Sequence, residues 1–326
     1  MKATAIAPAN IAFIKYWGKK DDALRIPLND SFSMNIDGAT TTTTVEFSDV
    51  FTHDGVSFIG ETIQEKEIWR ITKHLDKIRH LANKKLFARV ITKNSFPKGT
   101  GIASSASGFA ALTVAAVQAI GLNLSKKELT ILARLGSGSA CRSIPDGFVM
   151  WHEGETSETS FAESLYPSTY WHLHDIVVLV SRDAKKISTT IGMEGISTSP
   201  YWQKRMEYIP GRILRTKQAF QEKNFQKLGE VIEEDCLDMH HVMQTQSPPL
   251  YYWNEITKNI MQSVTNWREQ GLPVYFTIDA GPNMHCICEG KDEAKVMTAL
   301  KTVQGVQSII QNKVARGAYC INNHLF

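Results

Sequence analysis

The stretch that most constrains the fold is an apolar, alanine-rich segment over residues 105–120, which follows a loop containing Gly99 and Gly101. Because it has almost no polar face to show to water, it predicts a buried helix. Three serines crowd the start of this helix, where backbone N–H groups lack partners: Ser104, Ser105 and Ser107. Glycines let the backbone approach a ligand closely, and helix N-termini attract anions, so this loop and first turn indicate a phosphate site.

A tightly packed helix with a glycine turn and a serine cap would explain the same residues without any ligand. The P-loop pattern G-x-x-x-x-G-K-[ST] is absent, because Ile102 and Ala103, and not a lysine, precede Ser104. The pattern G-x-G-x-x-G is absent too, since its sixth position is occupied by Ser104. Phosphate binding here would therefore require a different nucleotide-binding fold.

Length and composition limit the class of protein. A chain of 326 residues, 43% of them hydrophobic, exceeds the usual single-domain size and predicts two lobes or one large α/β body. A formal charge of only +3, spread along the chain, argues against nucleic acid as a partner. Five cysteines form no even disulfide framework, and we find no signal-peptide core or bilayer-length apolar run. We therefore expect a soluble, cytoplasmic protein that does not act on membranes.

The order of local patterns predicts two different halves. Spacings of three and four predict a surface helix over 63–82, Asp54-Gly55 suggests a hairpin, and Ser125 with Glu128 forms a capping box. The later part changes to long predicted helices over 200–222, 224–243 and 250–270. A β-α-β pattern follows, which is typical of an α+β lobe. We place the domains at residues 1–184 and 185–326.

Two further segments carry candidate chemistry. Asp279 ends an apolar strand, where a carboxylate is costly unless it is paired or functional, and it is the best candidate for a base. An ordinary Asx turn before Gly281-Pro282 explains it equally well. The Gly/Ser loop over residues 136–143 carries Arg142, whose guanidinium suits carboxylate or phosphate, although Gly136 could simply end a helix.

Other candidates are weaker on their residues alone. Lys15, Tyr16 and Lys19 suggest an anion clamp, but lysines at a strand edge are usually solvated. Two groups suggest a metal: His240-His241 and the His285, Cys286, Cys288 cluster. We favour a structural role for both, because adjacent residues point apart and no second ligand pair has zinc spacing. Cys141 beside Arg142 only weakly suggests a reactive thiol.

Five segments together resemble one family over nearly the whole chain. They are NIAFIKYWGK (10–19), PKGTGIASSAS (97–107), SGSACRS (137–143), STTIGM (188–193) and TIDAGPN (277–283). Their order and spacing resemble the diphosphomevalonate decarboxylases of the GHMP kinase superfamily. The resemblance implies an α+β GHMP kinase fold, with an N-terminal lobe like ribosomal protein S5 domain 2, a ferredoxin-like C-terminal lobe, and a cleft between them.

The resemblance also implies an activity and a set of roles. Family members bind Mg-ATP and mevalonate 5-diphosphate and yield isopentenyl diphosphate, ADP, phosphate and carbon dioxide; they are commonly homodimers. By this resemblance, the ATP phosphates are wrapped by Gly99, Gly101, Ser104, Ser105 and Ser107, and the substrate's diphosphate is held by Tyr16, Lys19, Ser137, Ser139 and Thr189. Arg142 holds the substrate's carboxylate or a nearby phosphate, and Asp279 approaches the 3-hydroxyl. Asn10 and Lys15 organise the cleft, with Lys15 close to the aspartate. Mg²⁺ would be held by the ATP phosphates, with Ser105 as a candidate ligand and no dedicated protein site.

Two departures from the family pattern concern the substrate. Thr190 stands where many bacterial members have an arginine, which removes one diphosphate contact. The SGSACRS segment continues with Ile144-Pro145-Asp146-Gly147 in place of an aromatic residue and two glycines, and Asp146 adds negative charge. A decarboxylase of mevalonate 5-phosphate, a 3-kinase and a non-catalytic binding protein therefore remain alternatives. The presence of Tyr16, Lys19 and Arg142 favours the diphosphate substrate.

Overall fold

A computed structural model describes residues 1–96, 104–181 and 189–326. The strands in chain order are β1 (Lys2–Ile14), β2 (Lys19–Asp21), β3 (Ile26–Pro27), β4 (Ser31–Ser48), β5 (Gly55–Phe58), β6 (Phe87–Asn94), β7 (Phe148–Trp151), β8 (Ala162–Tyr166), β9 (Leu173–Leu179), β10 (Tyr275–Ile278), β11 (Met284–Glu289), β12 (Ser308–Lys313) and β13 (Tyr319–Ile321). The α-helices are α1 (Glu65–Leu81), α2 (Ser104–Ile120), α3 (Lys126–Gly136), α4 (Thr189–Glu194), α5 (Trp202–Glu222), α6 (Phe225–Thr245), α7 (Glu255–Glu269) and α8 (Glu293–Lys301). Short 3₁₀ helices lie at Gly138–Ser143 and Ile196–Thr198.

Two sheets organise the molecule. The first runs β13-β1-β4-β6-β5, with β7 and β8 added beside β4, and the second runs β10-β11-β9-β12. β1 pairs antiparallel with β4 along nearly its whole length, with irregularities between Pro8 and Ala9 and between Ala12 and Ile14. The last strand, β13, returns from the second half to pair with β1. The two halves of the chain are therefore joined by sheet pairing as well as by side chains.

The expected buried helix is α2, which packs on β1 and β4. Alanines at 110, 111, 115 and 116 have no exposed surface. Small side chains let the helix axis lie close to the sheet, and Phe109, Leu112 and Val117 fill the space toward α1 and α3. This packing positions the first turn of α2, with its serines, at the edge of the first sheet.

The second sheet is covered on both faces. On one face, Ile176, Val178 and Phe276 join a core with residues of α7 and α8. On the other, Val177 and Tyr275 belong to a core that reaches β1, α5 and α6. The ends of β1 and β10 consequently meet beside α6.

Most of the local predictions are confirmed, and one is wrong. The helices over 63–82, 200–222 and 224–243 are present, the third long helix begins only at Glu255, and the Ser125–Glu128 capping box forms. The hairpin at Asp54-Gly55 is wrong, because β5 pairs parallel with β6. The Asp54 carboxylate accepts bonds from Arg79 at 2.9 Å and from the N–H of Ala88 at 2.8 Å, so it holds the sheet edge and does not shape a hairpin turn.

The boundary between residues 184 and 185 lies outside the described residues and stays a prediction. β9, which precedes that boundary, pairs with strands of the second half. None of the described helices is long and apolar enough to cross a membrane.

Two helical glycines, one buried and one exposed, test this packing. A Cβ on Gly229 of α6 would overlap the ring of buried Tyr275, whereas a Cβ on Gly211 of α5 meets nothing within 4 Å. We expect Gly229→Ala to lower the free energy of unfolding by about 1–3 kcal/mol through overpacking. Gly211→Ala should raise it by about 0.5–1 kcal/mol, because alanine loses less backbone entropy in a helix. Urea unfolding of both variants measures the difference; equal effects would contradict the α6–β10 packing.

Candidate active site

The centre of the site is an ion pair between the two halves of the chain. Lys15 directly follows β1, and its Nζ lies 2.7 Å from Oδ1 of Asp279, which follows β10. Lys15 is only 1% exposed, and the Asp279 side chain is 28% exposed. The ammonium is thus almost withdrawn from water, while the carboxylate keeps an open side toward which a ligand group can come.

The charges around Asp279 keep it ionised. Burial alone would raise the pKa of this carboxyl, but the charge and hydrogen bond of Lys15, with further contributions from His285 and Arg142, outweigh it and lower the pKa to about 2. At neutral pH Asp279 is therefore a carboxylate, which accepts hydrogen bonds and is a weak base.

The backbone beside this pair is fixed by α6. The N–H of Lys15 donates to Oδ2 of Asp235 at 2.7 Å. Asp235 is fully buried and also accepts bonds from Arg205 at 3.1 Å and Arg212 at 3.2 Å. Sequence reasoning missed this network, although an aspartate on the apolar face of a predicted helix was a signal for it.

The same helix holds the strand end that carries Asp279. The N–H of Ile278 lies 3.1 Å from Sγ of Cys236, and Nε2 of His240 donates to the carbonyl of Ile278 at 3.3 Å. Burial lowers the pKa of His240 to about 3, so its imidazole is neutral. His240 thus has a structural contact, while His241 is exposed.

The other candidate metal ligands also have structural contacts. His285 Nδ1 lies 2.9 Å from Oδ2 of Asp175, and Cys286 and Cys288 lie in the core of the second sheet. Within the described parts of the chain, no group of three His, Cys, Asp or Glu side chains could hold a metal ion. Burial raises the pKa of Cys141 to about 12, so its thiol is not activated.

Arg142 and Asn10 form one hydrogen-bonded unit. Arg142 is 4% exposed, and its Nε donates to Oδ1 of Asn10 at 3.1 Å while Nη1 donates to Oγ of Ser31 at 2.9 Å. Asn10 Nδ2 in turn donates to Oγ of Ser143 at 2.9 Å and to the carbonyl of Ser139 at 3.2 Å. β1 therefore positions the 3₁₀ helix that carries the arginine; Ser31 is a contact that sequence reasoning missed.

The two serine segments meet in space. Oγ of Ser105 lies 3.2 Å from Oγ of Ser137, so the first turn of α2 faces the start of the 3₁₀ helix. Gly138 lies directly against Tyr16, since a Cβ there would be 2.9 Å from the phenol oxygen. The Tyr16 ring packs on Trp151, with centroids 4.7 Å apart, and burial raises its pKa, so it stays a neutral hydroxyl.

The remaining substrate candidates lie around Trp17. Lys19 forms an ion pair with exposed Asp22, and its own side chain is 7% exposed. Thr189 is the first residue of α4, and a Cβ on Gly192 of this helix would lie 3.1 Å from the Trp17 ring. Trp17 thus brings α4 against the segment that holds Lys15, Tyr16 and Lys19.

The nucleotide candidates are described only in part. Gly99 and Gly101, and the side chain of Ser104, lie outside the described residues. Ser105 is exposed at the start of α2. Ser107 is fully buried, with Oγ 2.7 Å from Oγ1 of Thr41, so it faces the sheet. A phosphate contact from Ser107 stays a prediction that its orientation does not support.

Two facing sheets, serine-lined turns and a lysine–aspartate pair define a two-lobed protein of the GHMP kinase fold. The family model described as the diphosphomevalonate decarboxylase-like N-terminal domain matches residues 7–162, and the mevalonate 5-diphosphate decarboxylase C-terminal domain matches 176–323. The chain belongs to the diphosphomevalonate decarboxylase family.

Individual relatives support this assignment over the full length. The diphosphomevalonate decarboxylase of Candida albicans is 33% identical and covers 97% of this chain and 96% of its own. The crystal structure of mevalonate diphosphate decarboxylase from Staphylococcus aureus is 39% identical, covers 98% of both chains and has a TM-score of 0.94. A structure of MDDEF in complex with MVAPP, AMPPCP and magnesium is 35% identical, covers 99% of both chains and has a TM-score of 0.93.

The low pKa of Asp279 gives a pH dependence of stability. Because its pKa falls from 3.8 to about 2 on folding, the carboxylate stabilises the fold above pH 3.8, and this stabilisation is lost as the pH falls through about 2. Between pH 5 and pH 2 we expect wild type to lose about 1–2 kcal/mol more unfolding free energy than the double variant Lys15→Met/Asp279→Asn, which lacks both charges. Urea unfolding at the two pH values measures this; parallel losses would contradict the pairing.

Proposed function

We propose that this chain catalyses the ATP-dependent decarboxylation of (R)-5-diphosphomevalonate to isopentenyl diphosphate, ADP, phosphate and carbon dioxide, in the mevalonate pathway of isoprenoid biosynthesis. The observation that carries the proposal is the 2.7 Å pair of Lys15 and Asp279, beside the buried Arg142 unit. Membership of the diphosphomevalonate decarboxylase family supports the same reaction.

A pocket beside Ser105 fits the base of ATP. It is bounded by apolar side chains of β5, β6, α1 and α2, including Phe58, Ile71 and Phe109, and by the polar groups of Arg70 and Asn94. Apolar walls with a few polar groups are typical of small-molecule sites. A base in this pocket would place the phosphates toward Ser105 and Ser137, whose hydroxyls are 3.2 Å apart.

Mg²⁺ would enter with the nucleotide. The relative MDDEF has been observed with AMPPCP and magnesium. Serine hydroxyls are hard oxygen ligands that suit this ion, and Ser105 is exposed at the start of α2. The described residues hold no acidic cluster for a separate site, so most ligands would be phosphate oxygens. When bound, the ion neutralises phosphate charge.

The substrate would bind between the two serine segments and α4. Tyr16, Lys19, Ser137, Ser139 and Thr189 supply hydroxyls and one ammonium for its diphosphate. Arg142 supplies a guanidinium for its carboxylate. Because Arg142 is fixed by Asn10 and Ser31, it can orient this carboxylate without losing much side-chain entropy.

Asp279 serves the reaction by orientation and charge. A tertiary hydroxyl is a poor leaving group, so its oxygen first attacks the γ-phosphorus of ATP, and the bond between that phosphorus and the β-phosphate oxygen of ADP breaks. The ionised Asp279 accepts the hydroxyl hydrogen bond and aims the oxygen. Because its pKa is low, the hydroxyl proton passes late to an oxygen of the transferred phosphoryl group, which is the stronger base, and Asp279 stays a carboxylate for the next step.

Decarboxylation follows from the loss of phosphate. As the bond between C3 and the phosphate oxygen breaks, positive charge develops at C3, and the Asp279 carboxylate stabilises it. The electron pair of the bond to the carboxylate carbon then forms the new double bond, and carbon dioxide leaves. Lys15 balances Asp279 throughout, so that its charge does not have to be neutralised by a proton.

We further propose a cytoplasmic location and a homodimer. Four of the five cysteines are buried and all are free thiols, which suits a reducing compartment. The homodimer rests on the resemblance to the family.

The proposal is tested by offering the protein ATP and, separately, mevalonate, its 5-phosphate and its 5-diphosphate. We expect carbon dioxide release from the 5-diphosphate at a rate at least about 100-fold above the other two, because the diphosphate contacts are lost with the smaller anions. ADP release without carbon dioxide would identify a 3-kinase, and turnover of the 5-phosphate alone would identify the other decarboxylase. Either result would contradict the proposal.

A further inference from the structure

A hollow rich in positive charge lies beside the proposed nucleotide pocket, with which it shares Arg70. It is bordered by Arg25 in the turn between β2 and β3, by Trp69, Arg70, Lys73 and Lys77 of α1, and by the end of α3. We call it the basic hollow. Its volume of about 260 Å³ is many times that of one water, so it admits a group as large as a diphosphate.

The lysines of α1 face this hollow, and acidic groups balance little of their positive charge. Arg70, Lys73 and Lys77 are spaced by three and four residues and so share one helix face. Lys73 lies 3.9 Å from Asp76 in an exposed pair, which is a weak interaction. Among the described residues, the ammonium of Lys77 and the terminal amino groups of Arg25 have no hydrogen-bond acceptor.

The arginines are held in fixed positions. Arg25 has φ +53°, a left-handed conformation that non-glycine residues rarely adopt, and its Nε donates to the carbonyl of Leu135 at 3.2 Å. Arg70 Nη2 donates to the carbonyl of Gly136 at 3.0 Å. Two guanidiniums are therefore preorganised over the end of α3, and unusual backbone of this kind is concentrated at binding sites.

The local field is positive. Burial, followed by the charges of Lys77, Arg25 and Arg70, lowers the pKa of His74 to about 3, so this histidine is neutral. The acid at the rim, Asp22, is paired with Lys19. Four cations therefore face the hollow: Arg25, Arg70, Lys73 and Lys77.

The basic hollow continues into a groove that combines leucines with charged and polar side chains. Lys73, Lys77 and Leu135 border both, and the groove adds Leu81, Leu132, Asp76 and His80. Leu81 is 55% exposed and Leu135 is partly exposed, so these two leucines present apolar surface next to the lysines. A ligand that fits both surfaces has a compact anionic head and a hydrocarbon chain.

We propose that the basic hollow binds the diphosphate group of a small amphiphile and that the groove formed by Leu81, Leu132 and Leu135 takes its hydrocarbon chain. Planar guanidiniums match phosphate oxygens, and the accessible surface of Leu81 and Leu135 loses water when covered by the chain. This site is additional to the proposed decarboxylation and does not depend on it.

Calorimetric titration of the full chain at low salt tests the proposal, with geranyl diphosphate and inorganic diphosphate as probes. Geranyl diphosphate should bind more tightly than inorganic diphosphate, because its chain buries apolar surface. The variant Lys73→Gln/Lys77→Gln should weaken geranyl diphosphate binding by about tenfold or more. Both lysines are exposed, so the variant should fold and keep its turnover of the proposed substrates.

The matched control is Lys295→Gln/Lys301→Gln, which removes two exposed lysines from α8 and should bind like wild type. Equal affinity for the two probes, or an unchanged affinity in Lys73→Gln/Lys77→Gln, would overturn the proposal, and the latter would point to binding in the decarboxylation cleft. Binding and turnover are measured separately. Absence of decarboxylation in wild type would therefore refute the proposed function, but it would not test whether the basic hollow binds geranyl diphosphate.

Discussion

One buried charge pair makes the rest of the site possible. Lys15 and Asp279 are 264 positions apart in sequence, yet their side chains meet at 2.7 Å where β1 and β10 end. Each alone would be costly to withdraw from water, and the pair lowers that cost for both. It also keeps an ionised carboxylate beside Arg142. In the proposed reaction, this negative charge offsets the repulsion between Arg142 and the positive charge that develops at C3. In the proposed reaction, the cations hold the phosphate and carboxylate groups, and Asp279 is the anion beside the carbon that becomes cationic.

The framework around this pair is built from further buried charges. Asp235 receives the Lys15 N–H and two arginines, while Cys236 and His240 hold the peptide group of Ile278. Removal of one member of such a network leaves another charge unpaired, which costs several kcal/mol, about 3–5 in measured cases. α6 is therefore both a core helix and the support of the site. Bonds from the Lys15 N–H to α6 and from Asn10 to the 3₁₀ helix keep the proposed catalytic groups in register.

Much of the fold could be predicted from local pattern, but long-range pairing could not. The apolar α2, the amphipathic α1 and the capping box of α3 follow from spacing of three and four and from cap residues. The hairpin prediction failed because Asp54 pairs with Arg79, a contact that local turn chemistry does not contain. The return of β13 to the first sheet and the pairing of β9 in the second are likewise non-local. Asp279 stood out as a strand-terminal acid, yet its pairing with Lys15 came only from family resemblance, and Asp235 and Ser31 were found in the structure.

The most direct measurement of the central idea is a double-mutant cycle on turnover. If Lys15 and Asp279 act as one unit, Lys15→Met and Asp279→Asn should each lower kcat by about 10²–10⁴-fold. The double variant should then be no slower than the worse single variant, because effects within a unit are not additive. ATP affinity, measured by titration, should change little in all three. Near wild-type kcat in Asp279→Asn, or a fully additive loss in the double variant, would contradict this account.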